Sequence, residues 1–228
     1  MTPGDPRIVS GLEAQAAARA AVVADGATRL GWKAGFGTAA AFRTLGTQAP
    51  LVGFLTDATL LADGATCSVA SWRKPMLEPE IAVRVGRDLP AGASPEHAAE
   101  AIDAIAPAIE LVDLAEAGTD VEAILAGNVF HRAVLLGAFT PLDASTALAD
   151  ARVDVRGAAC AEQADPTEVL GPLAEIVRHL ADALPLAQDG MRAGDVVITG
   201  SAVPAIAVSP GERVEVAIGA VSVTVTLG

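Results

Sequence analysis

The chain has 228 residues, just over half of them apolar, and a net charge of −13. That length and apolar fraction are enough to bury a sizeable core, whereas the acid excess and the scattered arginines speak against nucleic acid or anionic membrane as a partner. No apolar run approaches the roughly eighteen residues of a membrane span, and Met1 to Pro6 has no basic segment leading into an apolar one, so the expectation is a cytoplasmic protein without a signal peptide.

In chain order, alanines with Leu12, Ala16, Ala20 and Val23 at helical spacing predict a helix from about Ile8 to Ala24, ended by Gly26. Gly31 to Phe36 reads as a short strand running into a glycine turn, and Thr38 as the cap of a helix that Gly46 stops. Short strands follow at Leu51 to Leu55, Thr59 to Leu61 and Thr66 to Val69, then Pro79 to Val85. Ser94 caps a helix expected over Pro95 to Ile105, and Ala106 to Val112 is an apolar strand. A helical stretch near Val121 to Leu125 precedes strands at His131 to Leu136 and, more weakly, Arg152 to Val155. A helix at Leu173 to Leu184 leads into strands at Asp195 to Thr199, Ala205 to Val208, Arg213 to Ile218 and Val221 to Leu227, joined by Pro-Gly and Gly turns. The economical division is a short helical appendage, 1–30, on a single domain, 31–228. Cys67 and Cys160 are too few for a disulfide framework, lack metal-ligand spacing and read as reduced, buried thiols.

Three features carry chemistry. Glu78 and Glu80 are two apart in a strand and share a face; alone, such a pair is a solvated polar face, and it becomes a site only if a cation sits between the carboxylates. Glu110 lies in the apolar run Ala106 to Val112, where an unpaired carboxylate is costly and calls for an arginine, hydrogen bonds or a metal. Three oxygen donors without histidine or thiolate suit a hard cation such as Mg²⁺ or Mn²⁺. Lys33, one of only two lysines, stands between Gly31 and Gly35 before a helix start. It reads either as part of an anion site or as an exposed strand edge.

Together these segments resemble the fumarylacetoacetate hydrolase superfamily, in its 2-keto-4-pentenoate hydratase and 4-oxalocrotonate decarboxylase branch. Gly31-Trp32-Lys33-Ala34-Gly35-Phe36 is similar to G-Y-K-I-G-L, and Gly53-Phe54-Leu55-Thr56-Asp57 to G-V-L-x-D. Glu78-Pro79-Glu80-Ile81-Ala82 is similar to E-A-E-I-A, Ala108 to Asp113 to A-I-E-I-V-D, and Arg192 to Ser201 to R-A-G-D-I-V-L-T-G-S. The resemblance implies an α+β fold, a mixed β-sheet roll with peripheral helices. It also implies that Glu78, Glu80 and Glu110 ligate one Mg²⁺ or Mn²⁺, which a 2-oxo acid chelates through its carboxylate and 2-oxo oxygen. Lys33 and Asp57 are then the catalytic polar groups, and Gly35, Thr199, Gly200 and Ser201 line the substrate. A homo-dimer or larger homo-oligomer is expected.

The sequence departs from the branch in places. The N-terminal region is short, and Gly127-Asn128 stands where an Asp-Asn pair is usual. No Y-x-x-H-A-x-E segment for activating water is present. Asn128 and His131 are secondary candidates; His131 is either a substitute acid or base, or a packed strand histidine. His97 and His179 have no assigned role. The leading expectation is a metal-dependent hydratase of an unsaturated 2-oxo acid. A 2-oxo acid decarboxylase or a C–C hydrolase on the same metal platform is the alternative, and a non-catalytic partner subunit is a third reading.

Overall fold

The computed structural model describes residues 4–115, 118–142, 153–157 and 160–228. One sheet of nine strands has the order β2-β1-β11-β5-β6-β7-β3, with β12 paired to β5 and β8 to β6. Its strands are β1 (Arg29–Gly35), β2 (Leu51–Thr56), β3 (Leu60–Leu61), β5 (Pro75–Val85), β6 (Ile102–Asp113), β7 (His131–Leu136), β8 (Thr140–Pro141), β11 (Val196–Ser201) and β12 (Ile206–Ala207). A second sheet, β10-β9-β13-β14-β4, is built from β4 (Thr66–Cys67), β9 (Val153–Gly157), β10 (Cys160–Ala164), β13 (Arg213–Ile218) and β14 (Val221–Leu227). Helices α1 (Pro6–Ala24), α2 (Ala39–Leu45), α3 (Pro95–Ala101), α4 (Val121–Ala126), α5 (Pro166–Leu170) and α6 (Leu173–Ala183) lie around them. Both parallel and antiparallel pairs occur, so the α+β class with mixed sheets is as expected.

The period-two pattern of the central strands assigns their faces. Outward-pointing Leu77, Ile81, Val83 and Val85 of β5, with Ile105, Ile109 and Leu111 of β6, join Leu180 and Leu184 near α6 and Val216 and Val223 of the second sheet in the main core. The other face of the same strands is lined by small residues: Ala82, Ala106 and Ala108 pack with Leu55, Val134, Val196 and Ile198. Small side chains let that face close on itself. Lys33 on β1 and Glu110 on β6 are three strands apart, about 14 Å on a flat sheet, yet Lys33 Nζ lies 2.5 Å from Glu110 Oε1. The sheet is therefore rolled, with the glutamates on its inner side.

Helix α1, set apart above as an appendage, is part of this core. Ile8 and Leu12 are buried, and the buried Gln15 amide donates to Val52 O and Leu125 O, each at 2.8 Å. Helix α3 is shorter than expected: the chain turns to strand at Ile102, because Ile102 to Ile105 pair with β5 and β-branched residues suit that ladder. Strand β5 begins at Pro75 rather than Pro79. A proline normally interrupts a central strand, but Pro79 falls between the part of β5 that pairs with β11 and the part that pairs with β12. The strand expected over 152–155 is seen from Val153; residue 152 lies outside the described residues. Cys67 is half-buried rather than buried, and the side chain of Cys160 lies outside what is described.

Candidate active site

The antiparallel register of β5 and β6 places Glu78 directly opposite Glu110 and Glu80 opposite Ala108, so Glu80 is diagonal to Glu110 on the inner face. The three carboxylates each offer an oxygen within 4.8 Å of the other two. Glu80 and Glu110 are fully buried, and Glu78 is half-buried. Gly200 N–H donates to Glu80 Oε2 at 2.8 Å, leaving Glu80 Oε1 without a partner. Glu110 Oε1 takes both Lys33 Nζ at 2.5 Å and His131 Nδ1 at 2.6 Å, leaving Oε2 without one. Two partnerless carboxylate oxygens in the protein interior are expensive. The cost appears in protonation. Burial, then the Glu110 charge, push Glu78 up to about 7, and burial with both neighbouring carboxylates pushes Glu80 well above the usual range. Burial acts on Glu110 in the same direction, but the Lys33 ammonium and the His131 hydrogen bond outweigh it and hold that carboxyl below its ordinary value.

Lys33 is not on a strand edge. It is enclosed between β2 and β11, and its Nζ also donates to Val129 O at 3.0 Å. Two glycines make room for this arrangement. A Cβ on Gly53 would lie 2.6 Å from Lys33 Cγ, and one on Gly35 would lie 2.6 Å from Val129 Cγ1. The Val129 carbonyl is aimed by a left-handed turn in which Asn128, Val129 and Phe130 have φ of 53°, 52° and 62°. Such backbone costs about 1–3 kcal/mol per residue and persists only where its surroundings enforce it. Asn128 supplies much of the enforcement: its Oδ1 accepts from Phe54 N at 2.8 Å and its Nδ2 donates to Phe54 O at 3.0 Å, so the side chain pairs with β2 as a strand would.

A cavity of about 330 Å³ opens beside the glutamates, bordered by Lys33, Gly35, Glu78, Gly200 and Ser201 and walled by Phe36, Val112, Leu114, Phe130, Leu170 and Val203. Of the expected residues, Lys33, Gly35, Gly200 and Ser201 thus share this cavity with Glu78, and Lys33 and Gly200 also contact Glu110 and Glu80. Asp57 does not. It lies four residues beyond Gly53, the partner of Lys33, about 13 Å along the strand. Its exposed carboxylate accepts from Thr28 N at 2.8 Å and Thr28 Oγ1 at 2.5 Å, contacts that hold it below the usual carboxylate range. Thr199 also stays off the cavity wall; it is buried and donates to Ile81 O at 3.0 Å, bridging the register shift between Ile198 and Ser201 in the β11–β5 pairing. Asn128 and His131 act behind the wall. His131 is buried between Glu110 and Thr59, with Nε2 2.9 Å from Thr59 Oγ1, so it orients a carboxylate rather than touching the cavity. The roles of Thr59 and of the Val129 carbonyl had no sequence signal, because each depends on a turn that only the fold reveals.

Residues 32–226 match the family model of the fumarylacetoacetate (FAA) hydrolase C-terminal domain. A 4-oxalocrotonate decarboxylase of a Pseudomonas species is 27% identical over 194 residues, 82% of this chain and 73% of that protein. A 2-keto-4-pentenoate hydratase of Paraburkholderia xenovorans (strain LB400) is 27% identical over 192 residues, 82% of this chain and 71% of that one. Among solved structures, 4-oxalocrotonate decarboxylase from Pseudomonas putida G7, complexed with magnesium and adipate, is similar with a TM-score of 0.88 at 24% identity, covering 96% of this chain and 85% of that chain.

Proposed function

The chain belongs to the fumarylacetoacetate hydrolase family, and from that premise we propose that it is a divalent-metal-dependent lyase, a hydratase of a small unsaturated 2-oxo acid. Two buried carboxylate oxygens without partners, Glu80 Oε1 and Glu110 Oε2, carry this reading. With Glu78 they form an all-oxygen donor set that fits Mg²⁺ or Mn²⁺ better than zinc, which favours nitrogen and sulfur. The matched solved structure holds magnesium. When bound, such a cation draws electron density from a chelated 2-oxo acid and so stabilises its enolate form.

The chain's own residues supply the rest. Among the described residues Glu78 is the one glutamate that borders the cavity, so the ligand set opens toward substrate on that side. Adding water across a carbon–carbon double bond puts a proton on one carbon and hydroxide on its neighbour. Lys33 and Glu78 are the only titratable groups on the cavity wall among the described residues. With Glu78 committed as a ligand, Lys33 is the proton-transfer group or the anchor for developing negative charge. Its contacts to Glu110 Oε1 and Val129 O hold the ammonium at the cavity edge. Phe36 and Phe130, in edge-to-face contact at 6.2 Å between centroids, help exclude bulk water.

Decarboxylation would use the same electron sink, and relatives named for each activity match at 27% identity. A hydrolase would need a further acid–base pair to activate water; Asp57 lies elsewhere, and His131 is occupied by Glu110 and Thr59. Assembly as a homo-dimer or larger oligomer belongs to the same proposal and rests on the family resemblance.

Turnover of 2-hydroxypenta-2,4-dienoate, 4-oxalocrotonate, oxaloacetate and an acylpyruvate with Mg²⁺ or Mn²⁺ tests the reading. Consumption of the dienoate that disappears in Glu80→Ala and Lys33→Ala is the expected result. Metal binding without turnover of any of the four would overturn it in favour of a non-catalytic role.

A further inference from the structure

Glu80 and Glu110 are presented in the same way by unrelated devices. In each, one carboxylate oxygen is engaged by the protein and the other has no partner: Gly200 N–H holds Glu80 Oε2, and Lys33 with His131 holds Glu110 Oε1. The last torsion of a glutamate side chain is broad and roughly two-fold, so an unheld carboxylate presents either oxygen, or both at once. For Glu80 the holding donor is backbone, carried on β11 beside Ser201, the ladder partner of Glu80. For Glu110 the two donors are unequal. The Lys33 ammonium is a compact charge with rotatable donors, shared with Val129 O, so its bond fixes a distance and not a direction. The His131 ring has a single in-plane donor toward Oε1, because a carboxylate oxygen only accepts. That ring is buried and held at both ends: its backbone pairs with Val112 on β6, and its Nε2 lies 2.9 Å from Thr59 Oγ1.

Resting on the three-glutamate metal reading, we infer that His131 is a positioning residue for the cation: it pins Glu110 through Oε1 so that Oε2 alone is offered, as the Gly200 amide pins Glu80. The consequence is selectivity between hard cations. Mg²⁺ demands a near-ideal octahedron at short range, whereas Ca²⁺ accepts more oxygens at longer range and often takes both oxygens of one carboxylate. A site that withholds one oxygen on each of two glutamates withholds what Ca²⁺ gains from most. Releasing Glu110 from His131 frees the carboxylate to turn, which weakens the hold on the smaller ion and favours the larger one.

The test titrates Mg²⁺, Mn²⁺ and Ca²⁺ calorimetrically into metal-free wild-type protein, His131→Asn and His131→Gln. Asparagine keeps an N–H donor where Nδ1 stands and gives up Thr59. Glutamine carries its amide to where Nε2 stands and takes the donor away from Glu110. The wild type is expected to bind Ca²⁺ no tighter than Mg²⁺. His131→Gln is expected to lose about ten-fold or more in Mg²⁺ and Mn²⁺ affinity and to shift the Ca²⁺-to-Mg²⁺ affinity ratio toward Ca²⁺ by about ten-fold, whereas His131→Asn stays within about three-fold of wild type on both counts. Equal losses in the two variants, or no change in His131→Gln, reduce His131 to packing and overturn the inference, as does a wild type that prefers Ca²⁺. A wild type that binds none of the three cations instead overturns the three-glutamate reading, and the role of His131 falls with it. If His131→Gln does not fold, the wild-type preference and the affinity retained by His131→Asn decide.

Discussion

The two ends of strand β1 hold the two buried charge clusters of the molecule's described part, and they are built on opposite principles. At the Arg29 end every carboxylate oxygen is occupied. Asp189 Oδ1 accepts from Arg29, Arg192 and its neighbour Gly190 N, and Oδ2 pairs with Arg19. Asp195 takes Arg29 on both oxygens, along with Trp32 Nε1 and Arg192 N. Arg19 and Arg29 also lie over the Trp32 ring, at 4.9 and 5.0 Å from its centroid. At the Lys33 end, three glutamates face one lysine, and two oxygens have no partner. The first cluster ties α1, β1 and β11 together. The second is short of positive charge by about what a divalent cation supplies, and a fold retains such a deficit only where something else completes it.

The largest effect expected from breaking this contrast is on metal affinity. Glu80→Gln keeps the shape of the side chain and its bond from Gly200 but removes a charged ligand. Calorimetry with Mn²⁺ should show affinity falling by about 100-fold or more, while the metal-free variant melts at or above the temperature of the metal-free wild type, because a costly buried carboxylate is gone. The reverse break is Arg29→Met. It strands Asp195 and Asp189, so chemical denaturation should show a loss of about 2–4 kcal/mol, with Mn²⁺ affinity within about two-fold of wild type, since the two clusters are independent.

The pH dependences should separate as well. Glu78 sits near 7 in the metal-free fold against 4.5 as a free side chain. A carboxylate whose folded value is raised contributes stability below the lower figure and loses it as pH rises through the upper one. Metal-free protein should therefore melt roughly 5 °C lower at pH 8 than at pH 5, at about 2–4 °C per kcal/mol for a chain of this size, and saturating Mn²⁺ should flatten the curve. At the other end burial pushes Asp189 up, but the Gly190 N–H and Arg29 outweigh it and hold it at about 2, from a free value of 3.8. A lowered carboxylate stabilises above its free value and loses that contribution as pH falls toward the folded one, so this cluster weakens only below about pH 4. The smallest effect belongs to Asp57→Asn. With its carboxylate engaged by Thr28 outside the cavity, steady-state turnover should remain within about two-fold of wild type.

Much of this was legible in the chain because local signals agreed with the fold. Thr38, Ser94, Gly46 and the alternating C-terminal strands carry caps, stops and faces in the residues themselves. The glutamates were legible for a related reason: a carboxylate inside Ala106 to Val112 contradicts its surroundings, and such conflicts mark sites. What stayed hidden depends on strands distant in sequence. Asp57 shares a segment with Gly53, yet strand rise carries it to the far end of β1. His131 is twenty-one residues from Glu110, and nothing local indicates that its ring closes on that carboxylate. Ile102 to Ile105 read as the last turn of a helix, and only the pairing with β5 makes them strand.

The most direct test of the three-glutamate site is the stoichiometry of Mn²⁺ binding, followed by electron paramagnetic resonance, in the wild-type protein and in Glu80→Gln. One bound Mn²⁺ per wild-type chain and none in the variant at the same concentration is the predicted result. Equal binding in both proteins would place the metal elsewhere and contradict the assignment.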